Sequence, residues 1–284
     1  MTASICILRD RGVVEIAGAE AAAFLQRLIT NGVLNIPKGE ARYAALLTPQ
    51  GKLMFDFFAV PLPGGPEAGY FIDCVKDHAG ELVRHLTLYK MRAKIAIEDK
   101  SASLGVAAII GTGAPPDIEG IVYRDARAAG MGLRIIAPHE SLSRLNDLGE
   151  ATYEAHRIAQ GVPKGGIDFA YGEAFPHDMN LDLLNGVDFK KGCYVGQEVV
   201  SRVHHRQSAR RRVVKIHYQG DAPGPGMPVT AGGLAIGQTG SAFGREGLAM
   251  VRLDRLEEAR ASGETINAGG VAAEISGPGR RGAL

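Results

Sequence analysis

Among the residues able to do chemistry, one thiol stands out. Cys193 lies between Gly192 and Gly196, one residue beyond Lys190 and Lys191, in the sequence KKGCYVG. Glycine lets a loop turn tightly and bring backbone amides to an anion, and neighbouring ammonium groups favour thiolate over thiol. That pattern is suited to a nucleophile or a metal-binding sulfur. The ordinary alternative is a small buried hydrophobe, the common fate of a free cysteine. Cys6 and Cys74 are the other thiols, and three widely spaced cysteines make neither a disulfide framework nor a paired-cysteine metal site.

Asp56 is the second candidate. It sits in the apolar run KLMFDFFAV, where a carboxylate is costly unless it is hydrogen-bonded or open to a cleft. The two-residue period of a strand puts Met54 and Phe58 on its face and Phe55 and Phe57 on the other. Glu173, His177 and Asp178 fall in GEAFPHDMNLD, where turn and capping roles compete with a polar binding edge, and Asn180 could bind the edge of a heterocycle. His204 and His205 are adjacent, so on a strand they would face opposite sides and could not share one metal. No residue is assigned as a metal ligand, and no stable intrinsic metal is expected.

Around the thiol the charge is uneven. From Lys190 to Arg212 there are seven Lys or Arg residues and one acid, Glu198, a net of +6, whereas the whole chain of 284 residues carries only +1. Nucleic acid could be attracted only locally, and one aromatic, Tyr194, gives no stacking ladder for single strands. A solvated basic surface accounts for the run equally well. The glycine and lysine pattern of a phosphate loop is absent, as are GxGxxG and HExxH. No apolar stretch is long enough for a bilayer span, and the N-terminus does not resemble a secretory signal, so a cytoplasmic protein without membrane attachment is expected.

The elements that must position these residues alternate irregularly. Strand patterns at Cys6–Leu8 and Val13–Ile16 precede a helix in AEAAAFLQRLITNGV; Ala44–Leu47 and Lys52–Val60 form a hairpin about Thr48–Gly51. A helix in HAGELVRHLTLYKMR follows the strand Tyr70–Cys74, and three further strand-like runs precede helices in SLSRLNDLG and ATYEAHRIAQG. After Arg212 short strands punctuated by glycine indicate a mostly β, barrel-like domain in which LDRLEEARASG could add one or two helical turns. The fold class is α+β. The expected organisation is residues 1–208 as one region of two intertwined subdomains and 209–284 as a β-barrel domain ending in a frayed basic tail.

The stretch KGCYVGQE, residues 191–198, with NLDLLNGVDFK before it and VVSRVHHR after it, resembles the YgfZ-like family of folate-binding proteins. That family is related in fold to the aminomethyltransferase, or T-protein, of the glycine cleavage system. The resemblance extends over nearly the whole chain and implies a T-protein-like body with a C-terminal β-barrel around tetrahydrofolate. It implies a factor for synthesis or repair of iron–sulfur clusters in client enzymes, including radical enzymes that modify tRNA, with those clients or assembly proteins as partners. Cys193 would be the reactive motif cysteine, with Lys191 and Asp56 in the catalytic set. Asp56, Glu173, Asn180, Tyr194, Gln197, Glu198 and Arg202 would hold the folate. Where the aminomethyltransferase has adjacent aspartates this chain has Phe55 and Asp56, and Ser208 and Ala209 replace an expected glycine-containing turn. The alternatives are tetrahydrofolate-dependent aminomethyl or one-carbon transfer, and an RNA-binding accessory role in tRNA modification through the basic run. Whether the chain is an enzyme stays open at this stage.

Overall fold

The computed structural model describes residues 3–277; most of the tail expected to fray lies outside them. The chain divides into two compact units. The first takes in the chain before Thr48 together with Met54–Tyr153 and Leu183–Val195; the second takes in Thr48–Leu53, Glu154–Asp182 and the chain from Gly196 onward.

The first unit is built on two antiparallel sheets. Its elements are β1 (Ser4–Leu8), β2 (Arg11–Ala17), α1 (Ala21–Gln26), β3 (Arg42–Leu47), β4 (Leu53–Pro61), β5 (Gly69–Val75), α2 (Ala79–Lys90), β6 (Ala96–Asp99), β7 (Leu104–Ile110), β8 (Ile121–Arg124), β9 (Leu133–Pro138) and α3 (His139–Leu142). One sheet has the order β3-β4-β5-β2-β6 and the other β1-β7-β9-β8. Consecutive in sequence, β1 and β2 therefore enter different sheets. Apolar residues at 79, 82 and 86 give α2 one buried face, and Phe24, Leu25, Phe55, Phe57, Leu82 and Leu86 share the main core.

β4 obeys the two-residue period. Phe55 and Phe57 enter that core, whereas Asp56 and Phe58 turn to the other face, where charge is concentrated. Asp73 on β5, the register partner of Phe58, is fully buried. Arg11 Nε and Arg134 Nη1 each lie 2.6 Å from its carboxylate, and the Tyr123 hydroxyl donates to Oδ2 at 2.7 Å. Arg134 continues to Asp125 at 3.0 Å, and Arg127 reaches the same carboxylate at 2.6 Å. Both guanidiniums donate to the Tyr153 hydroxyl and lie over the Phe58 ring, at 5.0 Å for Arg127 and 4.7 Å for Arg134. Burial opposes ionisation of Asp73 and Asp125, but the guanidiniums outweigh it and hold both carboxyls below the ordinary range.

The second unit holds most of α4 (Glu150–Ala159), then α5 (Gln197–Arg206), β10 (Arg211–Tyr218), β11 (Pro228–Ala231), β12 (Leu234–Phe243), β13 (Glu246–Arg252), α6 (Leu253–Ala261), β14 (Ile266–Ala268) and β15 (Val271–Ser276). Its strands close into a six-stranded barrel in the order β10-β13-β12-β11-β14-β15. Leu256 and Ala259 of α6 pack into the barrel core with Val214, Ile216 and Val251. The segment before the barrel is tied to it by polar bonds: Arg157 bridges Asp168 at 3.1 Å and donates to Ser241 Oγ at 2.8 Å, and Asn180 Nδ2 donates to the Val213 carbonyl at 2.8 Å. The architecture is α+β with a closed C-terminal β-barrel, as the sequence indicates.

The strand considered for His204 and His205 is instead the helix α5. Its residues were consistent with that from the start: Glu198 and Arg202 pair at i,i+4, and Val200 provides a buried position. Gln207 ends the helix in the left-handed region at φ 50°, so the stop expected of a glycine is made by a glutamine. Of the run SLSRLNDLG only Ser141 and Leu142 are helical, as the end of the four-residue α3, whereas LDRLEEARASG yields the nine-residue α6.

Removing one partner from a buried ion network leaves a charge without compensation, so Arg134→Met is expected to destabilise the protein by about 3–5 kcal/mol. The depressed carboxyls add stability that is complete above the unfolded aspartate value of about 3.9 and is lost as pH falls toward their folded-state values. Urea midpoints measured from about pH 5 down to about pH 2 should fall, and Asp73→Asn should make that decline shallower while lowering the neutral-pH midpoint.

Candidate functional site

Cys193 lies in a stretch without helix or strand between Gly186 and Gly196. The part of that loop in the first unit is fastened to residues 29–31. Thr30 Oγ1 donates to the Gly186 carbonyl at 2.7 Å, the Asp188 amide to the Thr30 carbonyl at 3.0 Å, and Asn31 Nδ2 to the Asn185 carbonyl at 2.7 Å. Asp188 Oδ1 accepts from the amides of Lys190 and Lys191 at 2.8 and 3.1 Å, an aspartate turn that folds the chain ahead of the thiol.

Each residue of the motif then has a physical task. The Lys191 ammonium points inward, donating to the carbonyls of Ile29 and Asn31 at 2.7 and 2.8 Å, and lies 5.4 Å from the centre of the Tyr194 ring. Burial lowers its pKa to about 8 against the opposing attraction of Asp188. Tyr194 is buried and its hydroxyl has no hydrogen-bond partner among the described residues. Val195 packs against the main core of its unit. Between these anchors Gly192 meets no neighbour within 4 Å of where a Cβ would stand, and the Cys193 thiol is exposed. In the second unit Gly196, at φ 78°, opens α5, and a Cβ at Gly51 would stand 2.9 Å from Val199 Cβ. Glycine is required at both positions by its left-handed backbone.

Cys6 and Cys74 are buried, and burial pushes both thiols up, Cys74 to about 12. Cys193 is therefore the one thiol that meets solvent among the described residues. The sequence placed a lysine charge beside the sulfur; the structure instead turns the Lys191 ammonium to backbone carbonyls, making it a positioning residue for the loop.

The other candidates separate between the two units. Asp56, in the first, is 8% exposed and accepts a 2.8 Å bond from the Tyr43 hydroxyl at Oδ2. In the second, Glu173 is exposed and Asn180 is buried with its amide committed to Val213, while its Oδ1 accepts from Arg212. Gln197 and Glu198 form the first turn of α5, and Glu198 pairs with Arg202 on the exposed side of that helix.

Four residues of the basic run, Lys191, Arg202, Arg211 and Arg212, have internal partners. Arg212 is buried and grips Asp182 through two bonds of 2.9 Å; Arg211 meets Asp178 at 2.9 Å. A grouping that sequence reasoning did not assemble lies in the second unit: His177 and Asp182, from one segment, and His204, from α5, converge on one cavity. No spacing motif marks it, because their approach depends on how α5 packs.

Residues 210–280 match the model of the CAF17 C-terminal β-barrel domain. The chain is 33% identical to the mitochondrial iron–sulfur cluster assembly factor IBA57 of Mus musculus, over 88% of this chain and 78% of that protein. Against the corresponding Homo sapiens protein the identity is 32% with the same coverage. The chain belongs to the IBA57 family of iron–sulfur cluster assembly factors. An IBA57 homolog of Coccidioides immitis is 31% identical over 91% of this chain and 73% of its own length. The fold of this IBA57-family chain is that of the glycine cleavage system aminomethyltransferase T from Bartonella henselae, with a TM-score of 0.74 at 16% identity, covering 97% of this chain and 85% of that one.

The cytoplasmic location expected from the sequence is corrected by these IBA57 relatives, which are named as mitochondrial. Lack of a long apolar run speaks only to crossing a membrane, and among the described residues no helix is long and apolar enough to do so. Compartment is an address read by receptors and leaves no such physical mark on a folded domain.

Alkylation of the native protein with iodoacetamide at neutral pH should give a single adduct, mapped by peptide mass spectrometry to Cys193. Cys6 and Cys74 should react only after denaturant is added.

Proposed function

We propose that this IBA57-family chain binds tetrahydrofolate and supports synthesis or repair of iron–sulfur clusters in client enzymes, with Cys193 as a transient cluster ligand. This is the YgfZ-like reading of the motif. The observation that carries it is the exposed Cys193 thiol on a loop clamped by Lys191 and Asp188. Cluster iron binds thiolate, so ligation releases the Cys193 proton to solvent and displaces one existing ligand. Because Cys6 and Cys74 are buried, one monomer offers one thiolate. The remaining ligands must come from the cluster's carrier or client, which makes contact with cysteine-bearing partner proteins part of the function.

Tetrahydrofolate fits this chain in part. The buried Tyr194 hydroxyl without a partner and the carboxylate of Asp56, both in the first unit, are polar groups of the kind that orient a pterin. In the second unit Asn180, Glu198 and Arg202 are engaged in internal bonds. When bound, tetrahydrofolate supplies a one-carbon carrier. Aminomethyl transfer is the weaker reading, since Phe55 faces the core and Asp56 already accepts from Tyr43. RNA binding is weakened in the same way, because Arg212 and Arg211 have carboxylate partners.

Cells relying on Cys193→Ser are expected to lose client iron–sulfur enzyme activity while the purified variant keeps its thermal midpoint and its tetrahydrofolate affinity. Asp56→Asn should weaken tetrahydrofolate binding in calorimetry about tenfold, the scale of one charge-assisted hydrogen bond. Full client activity with the serine variant would remove the thiol from the function; unchanged folate affinity in the asparagine variant would remove Asp56 from the site.

A further inference from the structure

We propose that the second unit carries a divalent transition-metal site whose protein ligands are His177, Asp182 and His204. One ring nitrogen from each histidine and a carboxylate oxygen of Asp182 lie within 4.8 Å of one another. His177 Nε2 is 4.0 Å from Asp182 Oδ2. The three side chains share a cavity of about 120 Å³ with Val203, Gln207 and Arg212. A water position needs roughly 10–15 Å³ measured in this way, so the space admits an ion together with waters completing its coordination.

The donor chemistry selects the class of ion. Two imidazoles and one carboxylate are the protein set of facial iron(II) sites and of many zinc sites, whereas calcium and magnesium prefer oxygen donors throughout. Metal–nitrogen bonds of about 2.1 Å require the donor atoms to draw slightly closer than they stand here. The half-buried His204, near the free end of α5, can make that adjustment by rotating its side chain.

Asp182 is already oriented for such a role. Arg212 holds both its oxygens at 2.9 Å and also donates to the His177 carbonyl at 3.1 Å, fixing two ligand-bearing residues through one guanidinium. Each carboxylate oxygen keeps a further lone pair for a metal, and a second layer of hydrogen bonds of this kind is what holds metal ligands in place. The positive charge of Arg212 offsets that of the carboxylate, so the two neutral imidazoles supply most of the affinity. A borderline ion such as zinc or iron(II) is favoured over a hard one on that ground.

The site is independent of Cys193 and is tested on the full chain. Equilibrium dialysis with Zn²⁺, and titration with Co²⁺ followed by its visible absorption, should each show one equivalent bound without a thiolate-to-cobalt charge-transfer band. Cys193→Ser and His205→Ala should bind as the wild type does. His204→Ala should bind at least tenfold more weakly, with circular dichroism confirming an unchanged fold. His177→Gln provides the second readout if His204→Ala does not fold. Binding that disappears with Cys193→Ser, that survives substitution at 204 or 177, or that never reaches a stoichiometric equivalent would overturn the proposal.

Discussion

An ionised aspartate in a dry interior is the constraint around which the first unit is organised. Asp73 cannot reach water, so its charge must be met by protein, and Arg11 from β2 and Arg134 from β9 do so from two different sheets. Those guanidiniums in turn need acceptors and a polarisable surface, which Asp125, Tyr153 and the Phe58 ring provide. The sheets are thereby registered against each other by directional bonds as well as by apolar contact. Asp56 and Tyr43 sit at the same Phe58-centred cluster, so the face of β4 expected to meet a ligand is the face that completes this network.

The motif loop depends on similar economy. An exposed thiol on a free loop would sample many positions, and ordering it at each encounter would cost conformational entropy. Here the cost is met during folding: Asp188 caps the preceding turn, the Lys191 ammonium donates to two carbonyls, and the half-buried Val195 packs against the core. Cys193 is left as the exposed point between fixed neighbours. Preorganisation of this kind suits ligand exchange on a cluster, where the sulfur must arrive in a defined direction without the chain being rebuilt around it.

Much of the fold was legible locally. The alternation of β4, the spacing of Ala79, Leu82 and Leu86, and the short glycine-punctuated strands of the barrel all follow from side-chain period and turn chemistry, which act within a few residues. The helical nature of α5 was less visible, because its valines favour strands by propensity while the Glu198–Arg202 spacing and the Gly196 cap favour a helix. Its packing settled the conflict in favour of the helix, burying Val200 and directing His204 toward His177.

The residue types at 191–198 were enough by themselves to single out Cys193, to place glycines on either side of it, and to point through the YgfZ-like resemblance to iron–sulfur cluster proteins on an aminomethyltransferase-like fold, though not to the IBA57 family itself, since a motif of contiguous residues survives without knowledge of the chain path. Tertiary structure alone decided that Lys191 faces the carbonyls of residues 29 and 31, that Asp56 meets Tyr43, and that Arg212 joins Asp182. The reason is that a buried charge takes whichever partner the folded path brings within about 3 Å, and sequence separation carries no information about that distance.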